Sequence, residues 1–138
     1  MSWLDLVKQH HIGIKDAFLD AIANPDKDTI GHAKWLLNAH CSAEEAVIYQ
    51  ALSANSIDDE LLEKQQSGAK EEIHVLSHDE DDPDISEKLQ CLLDAILEHV
   101  KLEEKSKFPK LYGKLTAEEN ISLGKSYLDH YNKWVDVA

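Results

Sequence analysis

His40-Cys-Ser-Ala-Glu44-Glu45-Ala-Val-Ile-Tyr49-Gln-Ala-Leu52 and His99-Val-Lys-Leu-Glu103-Glu104-Lys-Ser-Lys-Phe108-Pro-Lys-Leu111 are two copies of one pattern, HxxxEExxx(Y/F)xxL, at identical spacing. Each copy continues an apolar seam with the four- and three-residue steps of a bundle helix. The first seam reads Ile30, Ala33, Leu37, His40, Glu44, Val47, Ala51, and the second reads Ile85, Leu89, Leu92, Ile96, His99, Glu103. A third, Leu4, Val7, His11, Ile14, Phe18, Ala21, is interrupted midway by a histidine. His11 lies 29 residues before His40, and His74 lies 25 before His99. The chain therefore reads as two helical hairpins of one pattern, each offering His, then His and Glu.

Helical periodicity dominates elsewhere too, and five glycines and three prolines give few breaks. The first helix is expected over about 3–23, with Ser2 as N-cap and a stop at Asn24-Pro25. The second runs from near Asp28-Thr29 to about Ser53, and the third from after Ser56 to the acidic turn His78-Asp79-Glu80-Asp81-Asp82-Pro83. The fourth runs from near Ser86 to about Leu111, its last turn distorted or ended by Pro109. A fifth, over about 116–135, opens on a capping box, Thr116 with Glu119. Its seam, Ile121, Gly124, Leu128, Tyr131 and Val135, reads as packing only. Short connections imply antiparallel neighbours. The expected fold is all-α, an antiparallel up-down-up-down four-helix bundle over about 3–112 with an additional C-terminal helix, in a single domain of 138 residues.

Composition narrows the function. With 27 acidic against 14 basic residues the formal net charge is -13, which argues against nucleic acid and against anionic membrane surfaces. No apolar run is long enough to span a bilayer, and the opening residues lack a secretory pattern. Cys41 and Cys91 form no CxxC and fit a reducing compartment, so a cytoplasmic location is expected.

A His and a Glu four residues apart share one helical face. Two such pairs facing each other across a core make a cage of imidazoles and carboxylates, and buried carboxylates need cationic partners. Mixed imidazole and carboxylate donors suit first-row transition metals, and carboxylates able to bridge favour two ions. His11, His40, Glu44, His99 and Glu103 are the candidates, with His74 beside the stripe Leu62, Gln66, Ala69, Ile73, Leu76. His10 sits beside its seam, and His32 and His130 have no matching acid one turn away, so these read as ordinary boundary histidines. No HExxH, thiolate set or Gly-rich phosphate loop occurs.

Leu6-Val-Lys-Gln-His10-His11, His40-Cys-Ser-Ala-Glu44-Glu45, Glu71-Glu-Ile-His74 and His99-Val-Lys-Leu-Glu103-Glu104 with Phe108-Pro109 together resemble the hemerythrin-like family, in its HHE cation-binding branch. The resemblance implies a four-helix bundle holding two non-haem iron ions, bridged by an oxo or hydroxo group and by two carboxylates. It implies as ligands His11, His40, Glu44, His74, His99 and Glu103. His78, one turn after His74, is a further candidate, because the oxygen-carrying members offer two histidines at this spacing. It also implies binding of dioxygen, nitric oxide or a related small ligand, as carrier or sensor. An enzyme-like peroxide or iron-oxidising activity and a metal-free helical interaction module are the alternatives.

Overall fold

The computed structural model describes residues 1–137, and they form five rods. α1 is Trp3–Ala23. α2 is a continuous rod built of an α-helix, Lys27–Ala43, a π-turn, Glu44–Ile48, and a further α-helix, Tyr49–Ala54. α3 is Glu60–Leu76. α4 repeats the α2 pattern as Ile85–Leu102, a π-turn at Glu103–Lys107, and Phe108–Lys114. α5 is Ala117–Val137. The first four close an antiparallel bundle in which α1 packs on α2 and α4, and α3 packs mainly on α4; α5 lies across α1 and α2. None of these helices is long and apolar enough to cross a membrane.

The ends follow local chemistry. The Ser2 hydroxyl accepts from the Asp5 N–H, and Thr116 and Glu119 cap α5 reciprocally. α2 starts slightly earlier than expected because Asp26, not Asp28, is its N-cap, in a capping box with Thr29. Ser56, at φ 59°, takes the left-handed conformation in the link from α2 to α3. Pro109 neither ends α4 nor breaks it. It follows directly on a π-turn, in which the Phe108 N–H already reaches back five residues to the Glu103 carbonyl. A proline is tolerated where the i→i−4 ladder has already been interrupted.

The core is divided in two. One apolar cluster gathers Ile14, Phe18, Ile30, Leu37, Ile73, Leu89 and Leu92. The other gathers Trp3, Val7, Ile48, Tyr49, Leu52, Leu62, Phe108 and Tyr127. The seam interruptions fall at the level between these clusters, where His11, His40, Glu44, Gln66, His99 and Glu103 are all buried. α5 is held across the top of α1 by the Trp3 indole N–H, which donates to the Asn120 side-chain oxygen at 2.8 Å. Gly124 permits that approach: a Cβ there would lie 2.9 Å from the Trp3 backbone nitrogen.

Candidate metal centre

α1, α2 and α4 bring together five of the expected residues in two donor groups that share Glu44. His11, His40 and Glu44 form one, and Glu44, His99 and Glu103 the other, with donor atoms in each group within 4.8 Å of one another. His40 Nε2 lies 3.1 Å from Glu44 Oε1, and His11 Nε2 lies 3.2 Å from Glu103 Oε1 and 3.5 Å from Glu44 Oε2. His99 Nε2 lies 3.3 Å from Glu103 Oε2. Adjacent donors on an ion with bonds of ~2.1 Å are themselves about 3.0–3.4 Å apart, so these separations match a shared cation.

The hydrogen-bond pattern carries the same message. His11 Nε2, His40 Nε2, both Glu44 oxygens and Glu103 Oε1 are buried and have no hydrogen-bond partner. Leaving so many polar atoms unpaired in a core costs several kcal/mol unless something else satisfies them. The opposite edge of every imidazole is held from behind. His11 Nδ1 pairs with Glu104 Oε2 at 2.5 Å, His40 Nδ1 with the Tyr127 hydroxyl at 2.6 Å, and His99 Nδ1 with Gln65 Oε1 at 2.9 Å. Glu104 and Gln65 can only accept at those oxygens, so His11 and His99 carry Nδ1–H there, which leaves Nε2 aimed into the cluster.

Charge is balanced by protons when no metal is bound. Burial opposes protonation of His11, but Glu103, Glu104 and Glu44 outweigh it and hold its pKa well above the ordinary value. His99 is likewise raised, burial being outweighed by Glu103. Burial would raise Glu44, yet His40 and His11 pull it well below the usual carboxylate range. Metal ions entering this site would therefore displace protons.

His74 lies elsewhere. It is exposed, its Nδ1 is 3.1 Å from Lys34 Nζ, and its ring meets that of His78, 5.0 Å away. The reason is geometric. The buried face of α3 carries Leu62, Gln66, Ile73 and Leu76, and His74 is turned about 100° from Ile73. It also sits eight residues beyond Gln66 in sequence, about 12 Å along the axis. His78 lies past the end of the helix, exposed in the turn after Leu76. Neither expected ligand from the third helix is at the cluster.

Gln66 occupies that level instead. Its Nε2 donates to the Cys41 carbonyl, and its Oε1 accepts from the Tyr49 hydroxyl at 2.8 Å and lies 3.0 Å from His99 Nε2. The same hydroxyl lies 2.7 Å from Glu103 Oε2, so its one proton serves one of these two oxygens at a time. Both had a sequence signal: Gln66 is a polar residue on an apolar stripe, and Tyr49 is the aromatic of the repeat. The π-turns had none. Each begins at the glutamate of HxxxE, and the wider turn brings the aromatic five residues on round to the buried side.

α5 contributes more than packing. The Tyr127 hydroxyl bridges His40 Nδ1 and His10 Nδ1, each at 2.6 Å, and His10 stacks on Tyr131. Burial, with His40 and His11 close by, lowers the His10 pKa to about 4. His10 is therefore neutral near pH 7 and suited to accept from Tyr127, whose oxygen then accepts from His40. That orders the His40 tautomer for metal binding. The chain is a helical bundle with two clusters of His and Glu side chains able to coordinate metal ions. Compared with protein-family models, curated proteins and solved structures, it matches none.

Beside the clusters lies a cavity of about 270 Å³ between α1, α2, α3 and α4. His11, His40, His99, Glu44 and Glu103 face one end of it, and its walls are mainly aliphatic.

Proposed function

We propose that this protein is a non-haem two-iron protein that binds dioxygen, nitric oxide or a related small ligand. The observation that carries the reading is the set of buried, unpartnered donor atoms on His11, His40, Glu44 and Glu103. Without metal, protons on the histidines offset the charge, but these donor atoms still make no aligned hydrogen bond, and a metal-free interaction module gives no reason for them to converge. Three imidazole nitrogens with two carboxylates suit iron among first-row metals, and no thiolate joins the cluster. Iron, when bound, supplies exchangeable coordination positions and a one-electron change at each ion.

The chain supplies the rest. Glu44 offers two oxygens to the two groups it joins, and Glu103 offers two to the group it shares with His99. Glu104, Tyr127 and Gln65 fix the imidazole orientations from behind. The Tyr49 hydroxyl stands at the His99–Glu103 side and orients the Glu103 carboxylate through Oε2. Three imidazoles and two carboxylates would supply fewer donors than a set including His74. That lower count also supports the second reading, turnover of peroxide or oxidation of iron. The two free cysteines support a reducing, cytoplasmic setting.

Metal analysis of protein purified without a chelating tag tests the proposal, with about two irons per chain expected. The ferric protein should show a near-ultraviolet charge-transfer band that changes reversibly with dioxygen or nitric oxide after reduction. A chain that takes up no iron overturns the metal reading, and rapid peroxide turnover without a reversible adduct favours the second one.

A further inference from the structure

The cavity beside the clusters is much larger than a diatomic ligand needs. A water molecule takes up about 30 Å³ in the liquid, and an apolar cavity of about 150 Å³ suffices for benzene. The volume here is about 270 Å³. Its size has a cause in the sequence: at this level α3 presents Gln65, Gly68 and Ala69. Gly68 and Ala69 are too small to close the space against Leu92 and Ile96 of α4 and Ile14 of α1.

The chemistry of the lining describes the occupant. Ile14, Leu37, Leu92, Leu93 and Ile96 ask for hydrocarbon. The far end, with His99 Nε2 and the Gln66 amide, asks for one polar group able to donate or accept. A charged group is disfavoured. The net charge of -13 and the buried carboxylates oppose an anion, and the rim mixes Lys15 and Lys64 with Glu72. An organic cation is disfavoured along the aliphatic passage, and at the clusters it would compete with the metal ions for the Glu44 and Glu103 carboxylates.

We propose that this cavity binds an uncharged organic molecule about one ring in size, of the phenol or aromatic-alcohol class, with its hydroxyl directed at the His99–Glu103 end. The ring part of the inference stands without metal, and only the hydroxyl's preference for the loaded protein rests on the iron reading. The site then takes two partners, a small ligand at the ions and an organic molecule beside them.

Fluorine NMR with 4-fluorophenol and 4-fluorotoluene as probes tests it, on the protein as purified and after chelation. A Cβ at Gly68 meets nothing within 4 Å, so Gly68→Leu narrows the mouth without straining the fold. Ala69→Leu serves as a second, deeper obstruction. Both probes should bind saturably to one site, and Gly68→Leu should weaken them by about tenfold or more. Loading with iron should favour the phenol over the toluene. Absence of saturable binding, or binding unchanged in both variants, overturns the inference, and equal effects of iron on both probes overturn the assigned orientation. Protein that holds no iron but binds both probes would defeat the function proposed above and support this site.

Discussion

The α1–α2 hairpin and the α3–α4 hairpin carry the same motif but finish it differently. In the first, His40 and Glu44 are joined by His11, and in the second, His99 and Glu103 are joined by Gln66. The second glutamate of each motif shows that these two positions correspond. Glu104, from α4, holds His11 from behind, while Glu45, from α2, reaches Gln66 at 3.5 Å and pairs with Lys70. The aromatic residues differ as well. Tyr49 extends its hydroxyl to Glu103, whereas Phe108 packs edge-on against Trp3, ring centres 5.2 Å apart. The first half is thus richer in imidazole and is further held by Tyr127, and the second exchanges an imidazole for an amide and a phenol beside the cavity. A repeat fixes where side chains sit on their own helices, but the chemistry of each half depends on what the neighbouring helix presents.

The largest expected effect comes from the shared carboxylate. Glu44 belongs to both donor groups and Glu103 to one, so Glu44→Gln should abolish binding of both ions, while Glu103→Gln should chiefly affect one. Metal per chain after dialysis decides this, and equal losses in the two variants would mean that the halves are not distinct.

Stripping the metal exposes the protons that stand in for it. His11 and His99 have raised pKa values in the folded chain, above the ordinary 6.5. Their contribution to stability is fully present below about 6.5 and is lost as pH rises through the raised folded values. Glu44, lowered below 4.5, contributes stability above that value, which is lost only as pH falls towards its depressed folded pKa. The metal-free protein should therefore melt higher at pH 6 than at pH 8, and the iron-loaded protein should reverse or flatten that trend. A metal-free melting temperature that rises from pH 6 to 8 would contradict the proton assignment.

Gly124→Ala tests how far the first half depends on α5. Its Cβ would press on the backbone of Trp3, at a cost of about 1–3 kcal/mol measured by denaturant unfolding. Because Tyr127 is one turn along the same helix, the iron spectrum should shift too. An unchanged spectrum would separate α5 from the site.

Gln66→His would make the halves alike. The new imidazole could direct one nitrogen to the cluster while Glu45 takes the other, and the weaker ion should bind about tenfold more tightly in a chelator competition. No gain would argue that Gln66 and His11 do not correspond. The smallest effect belongs to His74→Ala, and to His78→Ala, which should leave metal content unchanged because both side chains are exposed. Loss of iron in either would place α3 in a different register.

Much of this molecule is written in local pattern. The seams of α1, α2 and α4, the caps at Ser2 and Thr116, and the doubled HxxxE follow from helical periodicity and from which side chains satisfy a helix end. Those rules operate within a few residues, so they can be read one helix at a time. They also place His11, His40, Glu44, His99 and Glu103 on inward faces. The tertiary structure alone decided the rest: that α3 meets the others at the level of Gln66 and not of His74, two turns away; that both glutamates open π-turns; and that Tyr127 of α5 reaches His40. Register between helices, and the partner behind each imidazole, are set by how whole helices slide and pack against one another, and no spacing within a single helix encodes that.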